Sequence, residues 1–145
     1  MRQQTEILQD IARFQPVDGM WLPLDHLLDE LWSVGLPSES LAILFGVFER
    51  FPQDDGAGVL WSIVHGIESL PYSWESELLA SVERKPCGFN VMMINRILNT
   101  QPPDAESWMA LLRSVADNPA ASDETKADAK EYIEYQVDQA RARVG

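Results

Sequence analysis

The sequence predicts an all-α protein, and three observations support this fold class. Proline and glycine interrupt the chain at regular intervals, and the segments between the breaks have the length of ordinary helices, about 11 to 20 residues. Apolar residues recur within each segment at spacings of three and four, which is the period of an amphipathic helix. The alternation of apolar and polar residues that marks a strand is almost absent. We therefore expect about eight short helices.

The first four helices are each predicted from an apolar stripe and a signal at the start of the segment. Pro23 suits the first turn of the second helix, because its missing N–H costs nothing there. Ser38 or Ser40 is the predicted N-cap of the third helix, and Asp55 that of the fourth. The stripes are Ile7, Leu8, Ile11 and Phe14; Leu24, Leu27, Leu28 and Leu31; Leu41, Leu44, Phe45, Phe48 and Phe51; and Leu60, Ile63, Val64 and Ile67.

The last four helices are predicted in the same way. Glu75 and Glu77 lie in the positive first turn of the fifth helix. Residues 89–99 are apolar on most sides, which is typical of a helix surrounded by others. Short loops favour antiparallel neighbours, so we expect a compact orthogonal bundle or a short HEAT-like stack of helical pairs, in one domain of residues 1–145. The remaining stripes are Leu78, Leu79 and Val82; Trp108, Leu111, Leu112 and Val115; and Ala129, Ile133, Val137 and Ala140.

Gly58 and Gly66 both fall in the predicted fourth helix, where each glycine costs about 1 kcal/mol relative to alanine. Close approach of a neighbouring helix, or an N-terminal position in the case of Gly58, explains why they are tolerated.

The net charge of −12 is concentrated in one part of the chain. Between residues 14 and 83 there are twelve acidic residues and a single base, Arg50, whereas the residues from 84 onward are nearly neutral. Such a surface repels nucleic acid and anionic membranes, and it attracts basic proteins. The alternative is an acidic surface that serves only solubility.

Several functional classes are disfavoured by what the sequence lacks. It has no run of about 18 apolar residues and no apolar N-terminal stretch, so we expect neither a membrane span nor a secretory signal. Its one cysteine, Cys87, fits a reducing compartment, and we expect a cytoplasmic location. Glycine-rich nucleotide-binding motifs and CxxC pairs are absent, so no cofactor is predicted.

The two histidines are candidate functional residues. His26 and Glu30 share a face of the second helix, but a solvated helix face is favoured over a metal site there. His65 follows Trp61 by one turn, either as part of a functional edge or, the favoured interpretation, packed within the fold. Cys87 has no histidine close in sequence, so no catalytic residue is predicted and we expect the protein not to be an enzyme.

Two stretches carry a family resemblance: LFGVFERFPQDDGAGVLWSIVHGIESLP, residues 44–71, and SVERKPCGFNVMMINRILN, residues 81–99. They contain FERFP followed by acidic residues and glycine, a W-x-x-x-H helix and a final MINRxLN helix. In these features the chain resembles small bacterial immunity proteins encoded beside polymorphic or contact-dependent toxins. The resemblance covers about a third of the chain.

The resemblance implies binding and neutralisation of a cognate toxin domain, and the acidic surface implies that this domain is basic, such as a nuclease with a cationic groove. A non-enzymatic helical adaptor or scaffold is the alternative function. Trp74 lies in an acidic turn that suits a protein-binding patch, with packing of the loop as the alternative. The partner-contacting residues are expected among Asp25, Asp29, Glu30, Asp54, Asp55, Trp74, Glu75 and Glu77.

Overall fold

The computed structural model describes residues 2–144, and within them it contains helices and turns but no strand. The all-α fold class is therefore confirmed. The described chain divides into two compact units, residues 2–81 and 82–144. The helices are α1 (Gln4–Arg13), α2 (Leu22–Val34), α3 (Leu41–Arg50), α4 (Val59–Glu68), α5 (Glu75–Arg84), α6 (Gly88–Asn99), α7 (Ala105–Ala116) and α8 (Asp123–Val144), with short 3-10 helices at Ser38–Ser40 and Gly56–Gly58.

The core of the N-terminal unit is made by the predicted stripes of α1 to α4. Helix α1 packs against α2 and α3, and α2 packs against α4. Burial of these stripes supplies the main driving force for folding, at about 25 cal/mol per Å² of apolar surface. The fully buried side chains include Ile11 of α1, Leu24, Leu28 and Leu31 of α2, Leu44 and Phe45 of α3, and Leu60, Ile63 and Ile67 of α4.

The C-terminal unit is built on α6, α7 and α8, which all pack against one another. The inner face of α8 differs from the predicted stripe. Gln136 is buried, whereas Val137 is only half-buried and Ala140 is exposed. Gln136 Nε2 donates to the side-chain oxygens of Asn95 and Asn99 on α6, both at 2.8 Å. These hydrogen bonds offset the cost of burying the amide of Gln136. Counting apolar residues at helical spacing does not detect such polar pairing.

Two of the predicted N-caps are wrong in detail. Ser40 holds the N-cap position of α3 but makes no side-chain capping bond, because residues 38–40 form a 3-10 helix that leads directly into α3. Asp55 does cap a helix, but it is the 3-10 helix Gly56–Gly58, where its carboxylate accepts from the N–H of Ala57. The N-cap of α4 is Gly58, with φ of 90°.

Gly66 allows α2 and α4 to approach closely. A Cβ atom at this position would overlap with Cζ2 of the Trp32 indole, closer than any real contact. Gly58 begins α4 in the left-handed region, where glycine carries no steric penalty. Both expected reasons for tolerating these glycines are confirmed: a neighbouring helix approaches closely at Gly66, and Gly58 lies at the N-terminal end of α4.

The substitution Gly66→Ala should lower the free energy of unfolding by about 1–3 kcal/mol, because overpacking against Trp32 outweighs the gain in helix propensity. Urea denaturation measures the change. The matched control is Gly46→Ala in α3, where nothing lies within 4 Å of the added Cβ. This control should raise the free energy of unfolding by up to about 1 kcal/mol. Equal effects of the two substitutions would contradict the assignment.

Candidate functional site

The N-terminal unit carries nearly all of the protein's excess charge. Residues 2–81 contain thirteen acidic side chains against three arginines, a formal net charge of −10, whereas residues 82–144 contain ten acids against eight bases, a net of −2. In the C-terminal unit α8 carries both acids and bases, and Lys126 lies 3.7 Å from Asp123 and Arg141 lies 3.9 Å from Asp138. The N-terminal unit is therefore the better candidate for an electrostatic binding surface.

Arg2 joins α1 to α2 through two carboxylates. Its guanidinium lies 2.6 Å from Asp10 and 3.0 Å from Glu30, and the hydrogen bonds to Glu30 and Asp10 raise the pKa of Arg2. Glu30, one of the predicted contact residues, is thus engaged inside its own unit. It contributes less to the outward potential than its neighbour Asp29.

Arg50 is directed into the protein. Its guanidinium donates to the main-chain oxygens of Phe14 at 2.7 Å and Ile11 at 2.9 Å, which lie at the C-terminal end of α1. It also lies 5.2 Å from the ring centre of Phe51, and burial lowers its pKa. Its charge meets carbonyls at the negative end of α1, and the Ile11 oxygen also accepts from the main-chain N–H of Phe14. Two of the three arginines of the unit therefore serve internal contacts, and Arg13 is exposed at the end of α1.

Asp54 and Asp55 are exposed on the turn that precedes α4. Asp54 accepts from the N–H of Gly56 at 2.9 Å, and Asp55 from the N–H of Ala57 at 3.0 Å. Neither carboxylate forms an ion pair within residues 2–144. The hydrogen bonds fix the direction of the two carboxylates and leave their charges uncompensated.

Asp25 and Asp29 lie one turn apart on α2, and neither forms an ion pair in the described part of the chain. Asp29 is exposed beside a shallow groove of about 500 Å³ that is also lined by Trp32 and His65. The imidazole of His65 lies 5.8 Å from the ring of Trp61, centre to centre. Both residues are exposed, so the favoured interpretation of His65 as packed within the fold is wrong.

Trp74, Glu75 and Glu77 lie together at the start of α5 and are half-buried. Glu75 accepts from the Ser73 hydroxyl at 2.6 Å and from the N–H of Trp74 at 3.1 Å. The Ser73 hydrogen bond in particular holds the pKa of Glu75 below its usual value. This carboxylate therefore has a local role at the start of the helix.

The sequence predicts a chain break between α1 and α2, but the exposure of three apolar side chains on this turn was not predicted. Val17, Met20 and Leu22 are exposed by 69%, 58% and 59%. Between them, Asp18 and Gly19 have φ of 53° and 71°, and the N–H of Met20 donates to the oxygen of Val17 at 3.0 Å. The Asp-Gly pair, which favours two consecutive positive φ values, was the available signal.

Trp21 anchors this turn to the body of the unit. Its indole is only 6% exposed and lies 5.5 Å from the ring of Phe14 and 5.0 Å from that of Phe51, centre to centre. A Cβ atom at Gly56 would be 3.1 Å from Cε3 of Trp21, so the turn that carries Asp54 and Asp55 also lies against this indole. The structure therefore brings the 17–22 turn, the start of α2 and the 54–58 turn together.

The residues of types used in catalysis and metal binding, Cys87 and His26, lie at the start of α6 and on the exposed face of α2. Cys87 is fully buried and holds the N-cap position of α6, where its N–H donates to Oδ1 of Asn90 at 2.8 Å. His26 is exposed on α2. Across residues 2–144, His, Cys, Asp and Glu form no cluster of three or more suited to a metal ion. Within the same residues, the helices lack the combination of length and hydropathy that crossing a bilayer requires.

The chain matches no family model, no curated protein and no solved structure.

Replacing Arg50 by methionine should lower the free energy of unfolding by about 2 kcal/mol, since two charge-assisted hydrogen bonds to the end of α1 are lost. Thermal and urea unfolding measure this change. Arg13→Met removes the same charge from an exposed position and should change stability by less than about 0.5 kcal/mol. If both variants lose the same stability, the charge itself, and not the hydrogen bonds of Arg50, is responsible.

Proposed function

We propose that this protein is an immunity protein, which binds a cognate bacterial toxin domain with a basic surface and neutralises it by covering its active site. The proposal combines the family resemblance of residues 44–71 and 81–99 with the electrostatics of the N-terminal unit. The observation that carries it is the net charge of −10 on residues 2–81, where Arg2 and Arg50 both serve internal contacts.

The charge distribution supports a protein partner with positive potential. A concentrated negative surface steers a basic partner and can raise association rates by about 10- to 1,000-fold. Nucleic acid and anionic lipid surfaces are repelled by the same field. A toxin that cleaves nucleic acid needs lysines and arginines to hold phosphates, so its cleft is complementary to exposed carboxylates such as those of Asp54 and Asp55.

Neutralisation in this proposal needs no chemistry on the part of the immunity protein. Carboxylates that occupy the cationic cleft exclude the substrate by steric and electrostatic competition. The toxin is then inhibited only while this protein occupies its cleft, so the complex must remain bound as long as the toxin is present. The relevant property is therefore a slow dissociation rate, which comes from close packing at the interface centre rather than from distant charges.

Co-expression tests the proposal directly. Cells that make the C-terminal domain encoded by the adjacent gene should survive only when this protein is also made, and the two proteins should purify together. The double variant His65→Ala, Cys87→Ala should protect to the same extent, because neutralisation by occlusion uses no nucleophile or general base. If cells that make both wild-type proteins die and no complex is recovered, the proposal is overturned. If the double variant folds but no longer protects, neutralisation by occlusion without catalysis is contradicted.

Charge reversal should show how much the turn that carries Asp54 and Asp55 contributes to toxin binding, compared with the rest of the acidic surface. Asp54→Lys with Asp55→Lys is expected to weaken toxin binding by at least about 10-fold at low salt and to reduce its salt dependence. Isothermal titration calorimetry at several salt concentrations measures both effects. Because both carboxylates also accept turn hydrogen bonds, circular dichroism must first show an unchanged fold.

The matched control for this variant is Asp117→Lys with Glu134→Lys, which changes the net charge equally at exposed positions of the C-terminal unit. This control should bind almost as well as the wild type. Equal weakening by the two pairs would show that net charge alone governs binding and would exclude Asp54 and Asp55 from the contact.

A further inference from the structure

We propose that Val17, Met20 and Leu22, here named the apolar tip, form the apolar centre of the surface that contacts the basic partner. This inference rests on the proposed function and identifies where the interface is centred. Their exposures of 69%, 58% and 59% are the largest among the exposed large hydrophobic side chains of residues 2–81. The other two of this kind in that range, Trp61 and Leu79, are exposed by 36% and 40%. Grouped exposed apolar side chains are typical of interaction sites, whereas scattered ones are ordinary.

The apolar tip is rigid because its neighbours in sequence are fixed. The Asp18–Gly19 turn is closed by the hydrogen bond from Met20 to Val17, and Leu22 begins α2. Trp21 lies between Met20 and Leu22 in the chain and is packed between Phe14 and Phe51. A segment held in this way loses little conformational entropy on binding, so more of the contact energy contributes to affinity.

Carboxylates next to the apolar tip in the chain and on the turn that contacts Trp21 define the partner's chemistry. Asp18 is part of the turn itself, and Asp25 follows Leu22 by one helical turn. Asp54 and Asp55 are on the turn that lies against Trp21. An apolar centre with a charged rim is the usual anatomy of a protein interface. The complementary surface is a protein with an apolar pocket bordered by lysines and arginines.

The same charges argue against two other occupants. A second copy of this chain would bring one acidic rim against another, which like-charge repulsion opposes. An anionic membrane would be repelled by Asp18, Asp25, Asp54 and Asp55 even if the apolar tip inserted into it. The basic protein partner is therefore the occupant to which this surface is suited.

Oxidative footprinting reports directly on the apolar tip. Met20 is exposed, whereas Met93 and Met109 are buried and serve as internal references. Hydrogen peroxide should oxidise Met20 before Met93 and Met109 in the isolated protein. In the purified complex with a catalytically inactive toxin domain from the adjacent gene, oxidation of Met20 should slow by about 10-fold or more, because a central interface residue is excluded from solvent.

Substitution gives an independent readout of the same surface. Met20→Ser with Leu22→Ser should weaken toxin binding by about 30-fold or more and should leave thermal stability nearly unchanged, since both side chains are exposed. Leu79→Ser with Tyr135→Ser removes apolar side chains exposed by 40% and 47% elsewhere and should bind as the wild type does.

The outcomes distinguish this inference from the proposed function. A stable complex in which Met20 oxidises at the free rate, and which the Met20→Ser, Leu22→Ser variant still forms, overturns the apolar tip but leaves the immunity function standing. Absence of any complex with the wild-type protein overturns both. A wild-type dimer that the variant abolishes would assign the surface to self-association and would also overturn the inference.

Discussion

Packing around Trp21 is the contact on which the arrangement of the N-terminal unit depends. The indole joins the end of α1, the end of α3 and the turn before α4 through Phe14, Phe51 and Gly56. Arg50 reinforces the same junction, because it donates to the last carbonyls of α1 from the end of α3. An aromatic cluster of this kind contributes both buried area and favourable ring geometry. It brings three chain breaks together at a single surface.

This junction also explains how a surface of high negative charge remains compatible with a stable fold. Repulsion among exposed carboxylates destabilises a compact state, and the unit has few bases with which to offset it. Two of its three arginines join helices: Arg2 lies between α1 and α2, and Arg50 between α1 and α3. Asp54 and Asp55 are stabilised by main-chain N–H groups, which do not cancel their charge. The side chains that hold the helices together are thus different from the carboxylates that give the surface its negative potential.

The sequence predicted the helices well and the surface only in part. Apolar periodicity located all eight helices, and the helix-breaking glycines were correctly attributed to close approach and to a helix start. Periodicity does not register polar pairing across helices, so the burial of Gln136 against Asn95 was not predicted. Counting charges along the sequence treats Glu30 and Asp29 alike. In the structure, however, Glu30 accepts a hydrogen bond from Arg2, which is 28 residues away in sequence. The apolar tip was missed because its exposure results from the anchoring of Trp21, a tertiary contact.

The most direct test of the central claim, that concentrated negative potential brings this protein to a basic partner, is the association rate constant measured against ionic strength. Stopped-flow mixing of the wild-type protein with the inactive toxin domain gives this quantity separately from dissociation. Our account predicts that association slows by about 10-fold or more between low and high salt, while dissociation changes little. An association rate that is independent of salt would contradict it.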